Sequence, residues 1–81
     1  MADLIRLKAV LAKTGRTRSP FYSDVSQGVF TKPVRLGGKR AVGWPLAECE
    51  ALVQARIAGL SEEQIRELVR KLHDARKAVQ Q

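Results

Sequence analysis

Apolar positions recur along this chain with two periods, and the change from one to the other divides it. After Pro45, residues Leu46, Cys49, Leu52 and Val53, continuing to Arg56 and Ile57, fall three or four apart, the spacing of one helical face. Glu48 and Glu50 lie toward the start of that helix, where acidic side chains are favoured, and Gly59 closes it. A final helix follows. Ser61 with Gln64 three residues on forms a capping box, and Leu60 with Ile65 can close a hydrophobic staple across it. Its stripe is Ile65, Leu68, Val69, Leu72, Ala75 and Val79. A solitary amphipathic helix of about 18 residues is marginal in water, so the stripe is expected to be covered, by the chain's own core or by a partner subunit.

The first half is punctuated more tightly. Leu4 to Leu7 is a short β-prone opening; Lys8 to Thr14 reads as a helix with Val10 and Leu11 inward and Lys8 and Lys13 in water, stopped by Gly15. A second helix starts at once. Thr17 and Ser19 are both capable N-caps, Ser19 being the local choice and Thr17 its rival, and Pro20 suits a first turn where its missing N–H matters little. Phe21 and Val25 then share one face and Tyr22, Ser23 and Ser26 another, until Gly28. Two short helices separated by a tight glycine-containing turn predict a helix-turn-helix. Beyond it Lys32-Pro33 breaks any helix, Val34-Arg35-Leu36 alternates as a strand, and Gly37-Gly38 turns the chain. Ala41 to Trp44 then returns, which predicts a β-hairpin with Lys39 and Arg40 at its tip.

Charge sharpens the picture. Residues 1–45 carry nine Lys and Arg against Asp3 and Asp24, whereas residues 46–81 carry six of each sign, so the whole excess of +7 lies in the half with the turn and hairpin signals. That confinement points to a polyanion, DNA or RNA; RNA is the weaker alternative, because paired exposed aromatics and a Gly-rich RNA loop are absent, which favours double-stranded DNA. At 81 residues the chain is one small unit, which argues against an enzyme with a supported catalytic cleft. The lone Cys49 cannot form an internal disulfide, and no signal-peptide core or apolar run of membrane-spanning length is present; a cytoplasmic, membrane-free protein is expected.

From Leu4 to about Ile57 the chain resembles the AlpA family of phage-type regulators, which is related to excisionases. The opening LIRL, the turn and helix with Thr14, Gly15, Arg18, Ser19 and Tyr22, the KPVRLGG stretch from Lys32 to Gly38 and the AVGW strand from Ala41 to Trp44 carry the resemblance, in that order. It implies a mainly α fold with a small β-hairpin, a MerR/excisionase-like winged helix-turn-helix over residues 1–58; the C-terminal helix over residues 59–81, read from its own cap and stripe, is an addition to it. It also implies that the helix holding Ser19 and Tyr22 enters the major groove, with the Lys39-Arg40 hairpin as the wing beside it. Two positions depart from the family pattern: Arg16 stands where an apolar residue is usual, and Ser23 where an arginine is.

Physical chemistry then divides the labour. Lys39 and Arg40 suit phosphates or a minor groove and should set affinity and salt dependence. Arg18, Ser19, Tyr22 and Ser23, on the first two turns of the second helix, can reach base edges and should set preference among sequences. Lys13, Arg16 and Lys32 are peripheral phosphate contacts, each with a solvated-face alternative. Ile65, Leu68, Val69 and Leu72 are candidates for self-association, because a domain this small covers a short site and two or more copies on adjacent repeats would sharpen discrimination.

The remaining residues have structural readings. Trp44, Phe21 and Phe30 are expected in the core, Cys49 as a small buried hydrophobe, and His73 as an exposed helical histidine without zinc-ligand neighbours. No cofactor or metal is expected. The functional expectation is a transcriptional regulator of mobile-element genes, a recombination directionality factor, or both, with integrase or RNA polymerase as a possible partner. The alternative is an adaptor or anti-repressor whose basic face meets an acidic protein surface.

Overall fold

A computed structural model describes residues 3–37 and 41–79. Its elements are β1 (Leu4–Ile5), α1 (Leu7–Thr14), α2 (Arg18–Ser26), β2 (Val34–Arg35), β3 (Val42–Pro45), α3 (Leu46–Ile57) and α4 (Glu62–Val79). The protein is mainly helical with a small antiparallel sheet ordered β1-β3-β2, a winged helix-turn-helix with an added C-terminal helix.

The turn between α1 and α2 depends on Gly15, whose φ of 74° lies in the left-handed region and whose N–H closes the last turn of α1 on the Leu11 carbonyl at 2.9 Å. The cap of α2 is Thr17 and not Ser19, the local choice, which lies inside the first turn; the first helical bond runs from Phe21 N–H to the Thr17 carbonyl at 3.0 Å. Its hydroxyl makes no capping bond. Pro20 stands three residues on, where the usual donor to such a cap would be, and has no N–H to give.

Central strand β3 pairs Val42 with Arg35 and Gly43 with Val34 on one side, and Trp44 with Ile5 and Pro45 with Leu4 on the other. The hairpin thus forms where the turn signals place it. The use of Leu4–Ile5 as a third strand was not readable from their β-prone character alone, because pairing depends on which distant edge arrives beside them. Gly43 makes that approach possible: a Cβ there would stand 3.0 Å from the Ile5 carbonyl oxygen and 3.3 Å from Leu36 Cδ1.

Phe21 and Trp44 are both fully buried in one hydrophobic core. Phe21 packs edge-on against Trp44 at 5.2 Å between ring centroids and against Phe30 at 4.9 Å. Each such pair adds about 1 kcal/mol beyond the area it buries. The Trp44 indole N–H donates to the Thr31 carbonyl at 3.0 Å. Val10, Cys49 and Leu52 are buried in the same core, and burial pushes the Cys49 thiol pKa up.

Helix α4 begins with the expected reciprocal cap: Gln64 N–H donates to Ser61 Oγ at 3.2 Å and Ser61 N–H to Gln64 Oε1 at 2.9 Å. Ile65 and Val69 are buried in the chain's own core, with Leu60, Leu68 and Leu72 packed against it, so much of the stripe weighed for self-association is covered intramolecularly. Ala75, by contrast, is exposed. His73 is not the exposed helical residue expected from its sequence context. It is half-buried, and its Nε2 accepts the Lys32 backbone N–H at 3.0 Å.

Candidate functional site

The exposed face of α2 presents Arg18, Ser19, Tyr22 and Ser23, all on the solvent side of a helix whose Phe21 points into the core. Tyr22 is anchored at its inner edge, its ring 5.6 Å from that of Phe21 and 6.5 Å from that of Trp44, while 37% of the residue stays exposed. Ser23 is already engaged, its Oγ accepting from the Gln27 side-chain amide at 3.0 Å.

Beside this face lies a shallow notch of about 270 Å³ lined by Arg6, Leu7, Lys8, Arg18, Tyr22 and Val42. It joins the starts of α1 and α2 to Val42 at the start of β3. Neither helix has an acidic residue in its first turn or a side-chain cap on its N-terminal N–H groups. Those N–H groups carry the positive end of each helix dipole, a combination suited to anions. In contrast, α3 and α4 carry Glu48, Glu62 and Glu63 in their first turns. Sequence reasoning missed Arg6 and Lys8. The signal available was a basic pair flanking a helix start; the missing information was that this start folds beside Arg18.

The other basic residues separate into engaged and free. Arg16 grips Asp24 with two bonds, Nε to Oδ2 at 2.9 Å and Nη2 to Oδ1 at 2.8 Å, which raises its pKa and covers a nearly buried carboxylate. Its unusual place at this position therefore has a structural use: it links the turn to the far end of α2. Among the described residues, Arg6, Lys8, Lys13, Arg18, Lys32 and Arg35 take part in no salt bridge. In the second half Arg66, Arg70 and Arg76 all pair with acids, so the uncompensated charge stays with the helix-turn-helix and hairpin. Lys39 and Arg40 lie outside the described residues, between Leu36 and Ala41, where the Leu36 N–H meets the Ala41 carbonyl at 2.8 Å.

A helix-turn-helix with a short hairpin alongside and unpaired cations on its open face defines a winged-helix regulatory class. The chain belongs to the family described as the prophage CP4-57 regulatory protein (AlpA), whose model matches residues 3–57. No curated protein and no solved structure matches it. The match ends with α3, leaving all of α4 outside it. Among the described residues no helix is long and apolar enough to cross a membrane.

Proposed function

We propose that this protein is a sequence-specific double-stranded-DNA-binding regulator of prophage or mobile-element genes, acting at a promoter or as a recombination directionality factor. In this reading α2 lies in the major groove, with Arg18, Ser19 and Tyr22 toward base edges. Ser23, shorter than arginine and bonded to Gln27, contributes at most a local contact. The β2–β3 hairpin, with Lys39 and Arg40, lies along the neighbouring backbone or minor groove, and Lys13 and Lys32 extend the phosphate contacts. Arg16 is chiefly occupied with Asp24 and is a secondary contact.

The observation that carries this reading is the notch where Arg6, Lys8, Arg18 and Tyr22 converge on two open helix starts. Cations and backbone donors together suit phosphate, and the adjoining face of α2 supplies polar groups at base-reading length. Footprinting of the purified chain, titrated on DNA around its own gene and the nearest integrase gene and attachment site, tests it. Protection of one promoter supports a transcriptional regulator, and protection spreading over repeats beside the attachment site supports a directionality factor. An absence of protection on every fragment rejects DNA binding in favour of a protein-binding adaptor.

A further inference from the structure

The segment joining α2 to β2, residues 27–33, forms no helix or strand, yet it is held at both ends by side chains of α4. At one end Arg66 Nε donates to the Gln27 carbonyl at 3.0 Å. At the other, both backbone groups of Lys32 are taken: its N–H donates to His73 Nε2 at 3.0 Å, and its carbonyl accepts from Arg76 Nη2 at 2.8 Å. Arg76 is itself locked by Glu48 of α3, through bonds of 2.8 and 2.6 Å to the two carboxylate oxygens.

Three features make this more than ordinary packing. The bonds go to backbone, so the Lys32 ammonium is left free. Two of the three come from guanidinium groups, and charge-assisted bonds are about twice as strong as neutral ones. The hairpin they adjoin is short: β3 is held by β1 on its other side, but β2 is an outer strand joined to it at only two paired positions plus the Leu36–Ala41 bond, which gives β2 little rigidity of its own. Its root lies two residues from Lys32.

We propose that α4 fixes the β2–β3 hairpin relative to α2 by gripping the connector between them, with His73 and Arg76 as positioning residues that keep the hairpin where it can reach DNA. The inference rests on the DNA-binding reading and adds a role for the helix outside the family match. The hairpin supplies affinity through phosphates; α4 determines whether that affinity is available. Substitution of the gripping side chains of α4 therefore acts on DNA binding without α4 touching DNA.

The test compares the full chain with His73→Leu, His73→Gln, Lys39→Ala/Arg40→Ala, and His73→Leu combined with the latter pair. Each is titrated on the footprinted fragment over a range of salt, with a circular dichroism melt to confirm folding. Lys39→Ala/Arg40→Ala lowers affinity and reduces the salt slope by at most about two, one for each phosphate no longer neutralised. His73→Leu is expected to reproduce much of that loss with the order of preference among sites unchanged. His73→Gln, which keeps an acceptor for the Lys32 N–H, is expected to stay near wild type. The combined variant is expected to bind no more weakly than Lys39→Ala/Arg40→Ala alone.

A wild-type salt slope in His73→Leu, or losses that add fully in the combined variant, overturns the proposal. A wild-type slope in Lys39→Ala/Arg40→Ala overturns the hairpin's role in DNA binding and the positioning role with it. Hydrogen exchange of the Lys32 amide in the free protein separates these failures. Faster exchange in His73→Leu but not in His73→Gln supports the grip whatever the hairpin does, and equal exchange in all three proteins overturns it.

Discussion

Arg76 and Glu48 stand 28 positions apart in the chain and meet in a two-bond ion pair, Nη2 to Oε1 at 2.6 Å and Nε to Oε2 at 2.8 Å. The Glu48 side chain is 8% exposed and that of Arg76 22%, so the pair lies largely out of water. Such a pair adds little net stability relative to apolar residues of the same size, but removing one partner strands the other.

Arg76→Met should therefore destabilise the protein by about 2–3 kcal/mol, by leaving the Glu48 carboxylate without its donor. In a domain of this size that corresponds to a fall in Tm of roughly 10–15 °C, measurable by calorimetry. Adding Glu48→Met to the variant should recover most of the loss. A fall below 1 kcal/mol in the single variant would show that water reaches the carboxylate easily.

Burial holds the His73 imidazole pKa below its ordinary value near 6.5, with the positive charges of Arg76 and Lys32 acting in the same direction and the carboxylates of Glu48 and Asp74 opposing. The unfolded chain then binds more protons than the folded one just below pH 6.5, so stability rises with pH there. This contribution is fully present above about pH 6.5, declines as pH falls through the unfolded and then the folded value, and levels off below. Urea midpoints between pH 8 and pH 5 should show the decline, at no more than about 1.4 kcal/mol per pH unit, in wild type and not in His73→Gln. The same slope in both proteins would assign it to other groups.

Thr31 is fully buried, and its Oγ1 has no hydrogen-bond partner among the described residues, although its carbonyl accepts the Trp44 indole N–H. An unpaired buried hydroxyl is a penalty that an isosteric methyl removes. Thr31→Val should stabilise the protein by about 1 kcal/mol, read from denaturant midpoints. A loss instead would mean that the hydroxyl finds a water or carbonyl partner in solution.

Ile65 and Leu68 lie on the same stripe but differ in burial: Ile65 is 2% exposed, whereas Leu68 is only partly buried. Ile65→Ala should cost about 2–4 kcal/mol through the cavity it leaves. Leu68→Asp should leave a folded protein with a smaller loss. Sedimentation and cooperative DNA titration of that variant then ask whether the outer part of the stripe meets a second copy. Weakened cooperativity without unfolding would support such a contact, and unchanged cooperativity would reject it.

Much of the candidate site was legible because its signals are local. Gly15, Pro20 and the spacing of Phe21 and Val25 place a second helix and leave Tyr22 on its open side, all within about ten residues, although local preference favours Ser19 over Thr17 as its cap. Arg6 and Lys8 were not legible as site residues. Their relation to Arg18 passes through the packing of α1 against β3 and α3, which no short window contains.

By itself the sequence determined the elements: the helix-turn-helix, the hairpin flanking Gly37 and Gly38, the Ser61–Gln64 cap and the confinement of positive charge to residues 1–45. Each follows from backbone preferences or side-chain period, which act between near neighbours. The tertiary structure decided how those elements are joined. It made Leu4–Ile5 a strand against β3, sent Ile65 and Val69 into the chain's own core, and carried His73 and Arg76 back 41 and 44 positions to the backbone of Lys32. Such contacts depend on where helices cross and how closely they approach. Residue spacing encodes which face of a helix is apolar, but not what lies against it or which polar atoms along its border find partners.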